Sequence, residues 1–265
     1  MMAPVTGPAQ RGDEMADPAA LGYDDVHAWH GRLDPPADAG TRPRAADLEI
    51  LSAQERARCQ GFVRAVDSAR FAAMHAAVRR VLAGYLDVGP AAIQFGRSRC
   101  CACGRAEHGP PRIDWPATDL CWNLSRSADH WLLAVTRQRR IGVDIEVPRD
   151  LDLGEMAPAA LTEAEQEYLS SQQQAGRLGL FYRCWTRKEA VLKACGVGLA
   201  GSLRTLDAAP ARSGPVELAH RCRGGPGRWA VQDLIQQCGQ PAWLGAVAQP
   251  AAGAARVRLL RTCTA

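Results

Sequence analysis

The sequence predicts a mixed α/β fold, built from two similar α/β units in one chain of 265 residues. Two observations predict it. In each half of the chain, helical periodicity comes first and strand-like segments follow. Each half also contains the start signal of a helix, a Ser or Thr followed three residues later by Glu, at Ser52–Glu55 and at Thr162–Glu165. There is no matching sequence repeat, so the similarity concerns only the order of the elements.

The elements of the first half follow from local patterns. Residues 1–21 are rich in Pro, Ala, Gly and Asp without periodicity, which predicts a disordered leader. The alternating segment 24–34 predicts a strand that ends at two prolines. One helix begins after Ser52, and a longer one over 67–86 has an apolar stripe at spacings of three and four. AAIQFG predicts a further strand, followed by an irregular loop over 97–112.

The second half is read in the same way. Two apolar runs, HWLLAVT and IGVDIEV, are joined by the polar RQRR, which predicts a β-hairpin. A helix begins after Thr162, and another is expected over 179–194, with Gly196 as its C-cap. Strands should fill the remainder, with RWAVQDL and AWLGAVAQ the clearest.

Composition limits the class of protein. A hydrophobic content of 47% with 23% charged residues is ordinary for a globular chain, and a net charge of +4 does not require nucleic acid. No apolar run has the length of a membrane span, and the N-terminus lacks the pattern of a secretory signal. Ten cysteines in such a chain are expected to stay reduced. We therefore expect a cytoplasmic protein without a membrane or nucleic-acid partner.

The strand IGVDIEV carries the first candidate site. Because side chains alternate along a strand, Asp144 and Glu146 point to the same side, with α-carbons about 7 Å apart. Two such carboxylates can bind one Mg²⁺ or Mn²⁺ ion, and Gly142 on the same face would leave room for a ligand. The alternative is an ordinary strand with a solvated polar face.

The segment WTRKEAVLKACG holds the only two lysines of the chain, Lys188 and Lys193, beside 30 arginines. Either these lysines are chance survivors in an arginine-rich chain, or the segment needs an ammonium group that a guanidinium cannot replace. Glu189 lies four residues before Lys193 and shares its helix face. This pair is either a surface ion pair or a third metal-binding carboxylate with a lysine that contacts phosphate.

These motifs together resemble a known family. GVDIE followed about forty residues later by WTRKEAVLKACG resembles the paired signature of the 4′-phosphopantetheinyl transferases, (I/V)G(I/V)D(I/L)E and W(S/T)xKEAxxK. WNLSRSADHWLLAV upstream is similar to the family's FNxSHS segment, and residues 55–86 resemble its arginine-bearing N-terminal helices. The resemblance runs from about residue 24 to about residue 250, and the chain length resembles the larger, monomeric Sfp-type members.

The resemblance implies two pseudo-symmetric α/β subdomains, over 22–140 and 141–262, with the active site in the cleft between them. It also implies the reaction. The 4′-phosphopantetheine arm of coenzyme A would pass to a serine of an apo acyl or peptidyl carrier protein, leaving 3′,5′-ADP, with Mg²⁺ or Mn²⁺ bound. The alternatives are a metal-dependent phosphohydrolase acting on coenzyme A or another nucleotide, and a non-catalytic coenzyme A or carrier-binding protein.

The site residues implied by the resemblance form two groups. Asp144, Glu146 and Glu189 occupy the metal-ligand positions, with Glu189 also a candidate base, while Lys193 and the neighbouring Lys188 occupy the catalytic lysine positions. The residues expected to bind coenzyme A are Arg58, Arg70, Arg112, Ser125 and Arg126. Arg126 replaces the histidine that the family has between two serines, and Arg112 is a substitute for a lysine absent from the HGPPR segment.

The loop over 97–112 contains a cluster of soft ligands, Cys100, Cys101, Cys103 and His108. Such side chains are the ones that zinc prefers. Adjacent cysteines seldom bind one ion together, however, and no second CxxC follows. We therefore expect reduced thiols in this loop, with a structural zinc ion as the alternative.

Overall fold

The computed structural model describes residues 21–33, 42–197, 202–222, 225–235 and 243–262. The predicted disordered leader, apart from Leu21, lies outside these residues. Leu21 itself is buried, and its carbonyl oxygen accepts a hydrogen bond from Nε of Arg137 at 3.1 Å. Within the described residues, no helix has the length and apolar character needed to cross a bilayer.

In each half of the chain a group of helices is followed by a group of strands, as predicted, and one strand precedes the first group. The elements of its first half are β1 (Asp25–Arg32), α1 (Ala45–Ile50), α2 (Ala53–Gln60), α3 (Ala65–Leu86), β2 (Gln94–Arg97), β3 (Pro111–Trp115), β4 (Leu120–Ser127) and β5 (His130–Arg137). The elements of its second half are β6 (Gly142–Glu146), α4 (Leu153–Ala160), α5 (Glu163–Ser171), α6 (Gln174–Cys195), β7 (Val216–Ala219), β8 (Arg228–Ile235), β9 (Leu244–Pro250) and β10 (Arg256–Arg261). Short 3-10 turns lie at Pro90–Ala92 and Leu203–Thr205.

The local helix signals are confirmed. Ser52 and Thr162 each form a complete capping box, with Glu55 and Glu165 respectively, at the starts of α2 and α5. Such reciprocal hydrogen bonds satisfy two backbone groups that a helix end otherwise leaves unpaired. Helix α6 ends at Gly196 in the left-handed conformation (φ 75°), a conformation that glycine adopts at low cost. It begins at Gln174, five residues before its predicted start.

Among the described residues, the strands form two four-stranded sheets and a separate two-stranded ribbon of β2 and β3. The first sheet has the order β10-β1-β5-β4, and the second has the order β6-β9-β8-β7. All pairs are antiparallel except β1 with β10, which run parallel. Strand β10 thus falls within the predicted C-terminal subdomain but completes the sheet of the first half. The predicted subdomain boundaries remain a prediction.

The predicted hairpin between the two apolar runs is wrong. Strand β5 pairs with β1 and β4, whereas β6 pairs with β9 in the other sheet. The true hairpin joins β4 to β5 through Ala128, which has a positive φ of 52°. The polar connection 138–141 instead carries the chain from one sheet to the other. Both runs are buried on two sides, so their hydrophobicity did not distinguish one partner strand from another.

The core is layered, with helices outside and the two sheets between them. Helix α3 covers one face of the first sheet through Met74, Val78 and Leu82. Helix α6 covers one face of the second sheet through Ala190, Val191 and Ala194. The remaining faces meet in a shared apolar core, formed by Val26, Ala28, Leu132, Ala134, Val143, Ile145 and Val247. This packing brings β4 and β6, the edge strands of the two sheets, together.

Candidate active site

Strands β4 and β6 are joined by side chains of β4. Asn123 Oδ1 accepts a hydrogen bond from the backbone N–H of Val143 at 3.2 Å. Two residues on, Ser125 Oγ donates to Asp144 Oδ1 at 2.8 Å, and Ser127 Oγ then donates to Glu146 Oε2 at 2.7 Å. The period of two along both strands places these three links on one side. The carboxylates of β6 are therefore held by the other sheet and do not form a solvated face.

Helix α6 supplies the positively charged group of the site, the ammonium group of Lys193. Lys193 lies in the last turn of α6, and its Nζ donates to Asp144 Oδ1 at 2.6 Å and to Ser125 Oγ at 2.8 Å. Asp144 is only 4% exposed, whereas the side chain of Lys193 is 24% exposed and reaches solvent. Glu189 lies one turn earlier on the same helix and is also buried. The structure thus brings together two strands and one helix around three carboxylates and an ammonium group.

The glycine before this cluster has a different role from the expected one. A Cβ atom on Gly142 would lie 2.0 Å from the carbonyl oxygen of Ala190 and 2.4 Å from the backbone nitrogen of Ala194. Gly142 therefore allows α6 to pack closely against β6, and it does not leave room for a ligand. The close approach is what brings Lys193 within hydrogen-bond distance of the strand.

Burial raises the pKa of all three carboxylates. Burial raises the pKa of Asp144, while Lys193 and the Ser125 hydrogen bond oppose that rise. Burial also raises the pKa of Glu146, with Asp144 adding to the rise and Ser127 opposing it. For Glu189, burial raises the pKa first and repulsion from Asp144 raises it further. A site with more buried negative charge than Lys193 neutralises favours the binding of an additional cation.

In the part of the chain that the structure describes, two buried oxygens of the site have no hydrogen-bond partner, Asp144 Oδ2 and Glu189 Oε1. An unpaired buried carboxylate oxygen is costly, because it has lost water without gaining another donor. Hard oxygen ligands of this kind are those that Mg²⁺ selects. Within the described residues, no three acidic, His or Cys side chains are already gathered closely enough to hold an ion. The donor set and its unpaired oxygens nevertheless fit a divalent cation that draws the carboxylates together.

Lys188 is not among the residues that the structure brings to this cluster. Its side chain is fully buried, and Nζ donates to Glu165 Oε2 at 2.5 Å and to the carbonyl oxygens of Ala160 and Leu203 at 2.8 and 3.0 Å. These acceptors occupy all three N–H donors of the ammonium group. This environment is that of a buried structural ion pair that connects α5, α6 and the turn at Leu203.

The residues expected to bind coenzyme A lie on several elements. Ser125 belongs to the cluster, and Arg126 beside it on β4 is exposed. Arg112, also exposed, forms an ion pair with Asp114 at 2.6 Å on β3. Arg58 lies at the end of α2 with its guanidinium 5.2 Å from the centroid of the Phe71 ring. Arg70 lies on α3, and its buried Nε has no hydrogen-bond partner among the described residues. The four arginines thus lie on four different elements, α2, α3, β3 and β4.

Sequence reasoning missed Asn123, and it matched Ser127 to the second serine of the family's Ser-His-Ser segment without assigning it a role at the carboxylates. Both residues hydrogen-bond to β6 or to the residue that follows it. Asn123 accepts from the backbone N–H of Val143. Ser127 donates to Glu146 and accepts from the backbone N–H of Val147 at 3.1 Å. The signal was present, because polar residues alternate at 123, 125 and 127 in a strand that is otherwise largely buried. It was not interpretable without knowing that β4 and β6 adjoin.

Comparison with known proteins gives a consistent result. The family model of the 4′-phosphopantetheinyl transferase superfamily matches residues 140–248. The 4′-phosphopantetheinyl transferase HetI of Nostoc sp. is 34% identical over 181 residues, which cover 67% of this chain and 71% of that protein.

Two transferases of Bacillus subtilis are also similar. One is 29% identical over 171 residues, covering 63% of this chain and 69% of that protein. The other, Sfp, is 27% identical over 154 residues, covering 58% and 63%. The matched region of the family model contains β6 and α6, which carry the three carboxylates and Lys193. The chain therefore belongs to the 4′-phosphopantetheinyl transferase superfamily.

Proposed function

We propose that this protein transfers the 4′-phosphopantetheine moiety of coenzyme A to a serine of an apo acyl or peptidyl carrier protein. The products are the holo carrier protein and 3′,5′-ADP. The single observation that carries the proposal is the contact of Lys193 with Asp144 and Ser125, in a cluster that also contains Glu146 and Glu189. Family membership and the names of the relatives support the same reaction.

Asp144, Glu146 and Glu189 would hold a divalent cation, Mg²⁺ or Mn²⁺. The unpaired oxygens of Asp144 and Glu189 support this assignment, as does the excess of buried negative charge. When bound, the ion would neutralise charge on the pyrophosphate of coenzyme A and polarise the phosphoryl oxygen. Serine hydrogen bonds keep Asp144 and Glu146 oriented before any ion binds.

The chemistry of this chain's own residues then follows from their positions. The carrier serine forms a new O–P bond to the phosphorus that bears the pantetheine, and the bond from that phosphorus to the 3′,5′-ADP oxygen breaks. A carboxylate, which we assign to Glu189, takes the serine proton directly or through a water molecule. Lys193, partly exposed at the edge of the cluster, donates a hydrogen bond or a proton to the departing oxygen.

Binding of coenzyme A is assigned to basic side chains outside the cluster. A guanidinium can bind phosphate with two parallel hydrogen bonds, and Arg126 is exposed on the strand that supplies Ser125. Arg58, Arg70 and Arg112 are proposed as further phosphate contacts. The cleft between the two halves is proposed as the place where both substrates meet.

The test is intact-mass spectrometry of apo carrier proteins incubated with this protein, coenzyme A and Mg²⁺. The panel should include fatty-acid, polyketide and nonribosomal-peptide carriers, with EDTA as one control. The expected result is the mass of one phosphopantetheine on at least one carrier, lost in EDTA. Asp144→Asn should abolish the gain, while Glu155→Gln, which changes an exposed carboxyl on α4, should leave it intact.

Each other outcome has a distinct meaning. Release of 3′,5′-ADP without any modified carrier would indicate hydrolysis and contradict the transfer. Neither modification nor ADP on the whole panel would contradict catalysis and favour a binding protein. We also propose a monomer in the cytoplasm, which analytical ultracentrifugation and cell fractionation would test.

A further inference from the structure

The cysteine-rich loop between β2 and β3 is ordered, and hydrogen bonds join its two ends. The backbone N–H of Ser98 donates to the carbonyl oxygen of Pro110 at 3.0 Å, and Arg97 donates to that of Gly109 at 2.9 Å. Gly109 is required here, because a Cβ atom would lie 1.7 Å from the carbonyl oxygen of Ser98. The two ends of the loop are thus fixed next to each other.

Within this loop, residues 100–104 form a tight turn of the sequence CCACG. The N–H of Cys100 donates to Arg105 O at 2.9 Å, and the N–H of Gly104 donates to Cys100 O at 2.8 Å. Gly104 has a φ of 74°, which a side chain would disfavour. Two cysteines separated by two residues on such a turn have the spacing of a zinc knuckle.

The adjacent cysteine, which argued against a metal site in the sequence, points elsewhere. Cys101 Sγ donates to the carbonyl oxygen of Cys195 at 3.1 Å, at the end of α6. Cys100 and Cys103 are therefore left as a pair with CxxC spacing. Of these two cysteines, Cys100 is buried and Cys103 is exposed.

His108 lies beside this pair. Its Nδ1 is 3.3 Å from the sulfur of Cys103. In a tetrahedral site with Zn–S about 2.3 Å and Zn–N about 2.0 Å, the sulfur and nitrogen ligands are about 3.5 Å apart. The observed distance of 3.3 Å between Cys103 Sγ and His108 Nδ1 is close to that value. As they stand, the three donors do not form a set that could hold an ion. Binding would require new rotamers of Cys103 and His108, which are both exposed.

We propose that Cys100, Cys103 and His108 bind one Zn²⁺ ion, with water as the fourth ligand. The ion would fix a loop that rests on the end of the helix that carries Lys193. Besides the contact of Cys101 with Cys195, the ring of Pro110 packs so closely on Gly196 that a Cβ there would lie 2.9 Å from it. Fixing the loop would thus hold the last turn of α6, whichever reaction the carboxylate cluster supports.

The experiment uses the full chain, stripped of metal with a chelator, kept reduced and titrated with Co²⁺. One equivalent should produce a thiolate-to-cobalt charge-transfer band and the visible bands of tetrahedral cobalt, and Zn²⁺ should abolish both. Cys103→Ser and His108→Ala should weaken binding by about 100-fold or more, since each removes a ligand. Cys101→Ser is the matched control and should keep the bands. Asp144→Asn should keep them too, which separates this site from the carboxylates.

Three outcomes would overturn the proposal. They are the absence of stoichiometric tetrahedral cobalt in the parent, equal loss of binding in Cys101→Ser and Cys103→Ser, and unchanged binding in His108→Ala. Circular dichroism shows whether each variant is folded. If Cys103→Ser does not fold, His108→Ala decides, because that exposed side chain can be removed without leaving a cavity. None of these outcomes bears on the transfer reaction.

Discussion

Replacing Lys188 by methionine distinguishes a structural lysine from a catalytic one. The ammonium group of Lys188 is fully buried, contacts Glu165 at 2.5 Å and donates to two carbonyl oxygens. Methionine keeps most of the volume of the stem and removes the charge. It leaves the carboxylate of Glu165 buried with only backbone donors, from Thr162 at 2.7 Å and Ala208 at 2.7 Å.

The expected cost follows from this geometry. Removing one partner of a buried ion pair costs about 3–5 kcal/mol, because the other charge stays buried without compensation. The two remaining backbone donors to Glu165 place the expected value near the lower end, about 3 kcal/mol. For a chain of this length, that loss lowers the melting temperature by about 6–12 °C.

Urea denaturation followed by tryptophan fluorescence measures the free energy of unfolding. The double variant Lys188→Met/Glu165→Gln should recover part of the loss, since it removes the uncompensated charge while the introduced amide oxygen can still accept hydrogen bonds. Below the unfolding transition, the kcat of Lys188→Met should remain within about threefold of the parent, because the side chain does not reach the carboxylate cluster.

The opposite pattern would refute this reasoning. Suppose that the free energy of unfolding of Lys188→Met were within about 1 kcal/mol of that of the parent, while its kcat fell by about 100-fold. Lys188 would then be part of the catalytic machinery. The double variant would then share the loss of kcat and would show no recovery of stability.

Three further predictions concern Asp144, Lys193 and Glu55. Asp144→Asn should lower kcat/KM by at least about 100-fold while circular dichroism stays unchanged, and retained activity in Mg²⁺ would contradict the metal assignment. Lys193→Arg should lower kcat by about 100-fold despite the conserved charge, because a guanidinium gives up its proton poorly; an unchanged rate in single-turnover experiments would argue against a proton donor. Burial raises the pKa of Glu55, but hydrogen bonds from His75 and Arg79 outweigh it and lower that pKa to about 2 from an ordinary value near 4.5. Because Glu55 is partly exposed and solvent screens the interaction, this coupling contributes about 2–3 kcal/mol, present above pH 4.5 and lost as the pH falls towards 2. The difference in unfolding free energy between the parent and Glu55→Gln should therefore shrink over that range, and a constant difference would contradict the assignment.

The sequence predicted correctly those features of the fold that depend only on residues close together in the chain. The capping boxes of Ser52 and Thr162 need only their own side chains and the backbone three residues on, and both are present. The alternation of IGVDIEV also holds, with Val143 and Ile145 in the core and Asp144 on the other face. Such patterns report on one element at a time.

The parts that could not be predicted depend on distant segments. The pairing of β6 with β9 joins residues about a hundred positions apart, and nothing in the local pattern of β6 favours it over β5. The buried state of Lys188 depends on Glu165, 23 residues earlier in the chain. In the same way, the interpretation of Asp144 as a solvated residue or a buried one depended on Ser125, which lies on the other sheet.

The parallel pairing of β1 with β10 has a consequence for how the protein is made. Strand β1 obtains its first neighbour when β5 is complete at Arg137, but its second neighbour begins only at Arg256. At about 5–20 residues per second, the ribosome needs roughly 6–24 s to synthesise the intervening segment. During that interval the edge of β1 offers unpaired backbone groups to any other nascent strand. That edge stays open to other chains until Arg256–Arg261 emerge, and shortening the chain before β10 would make the exposure permanent.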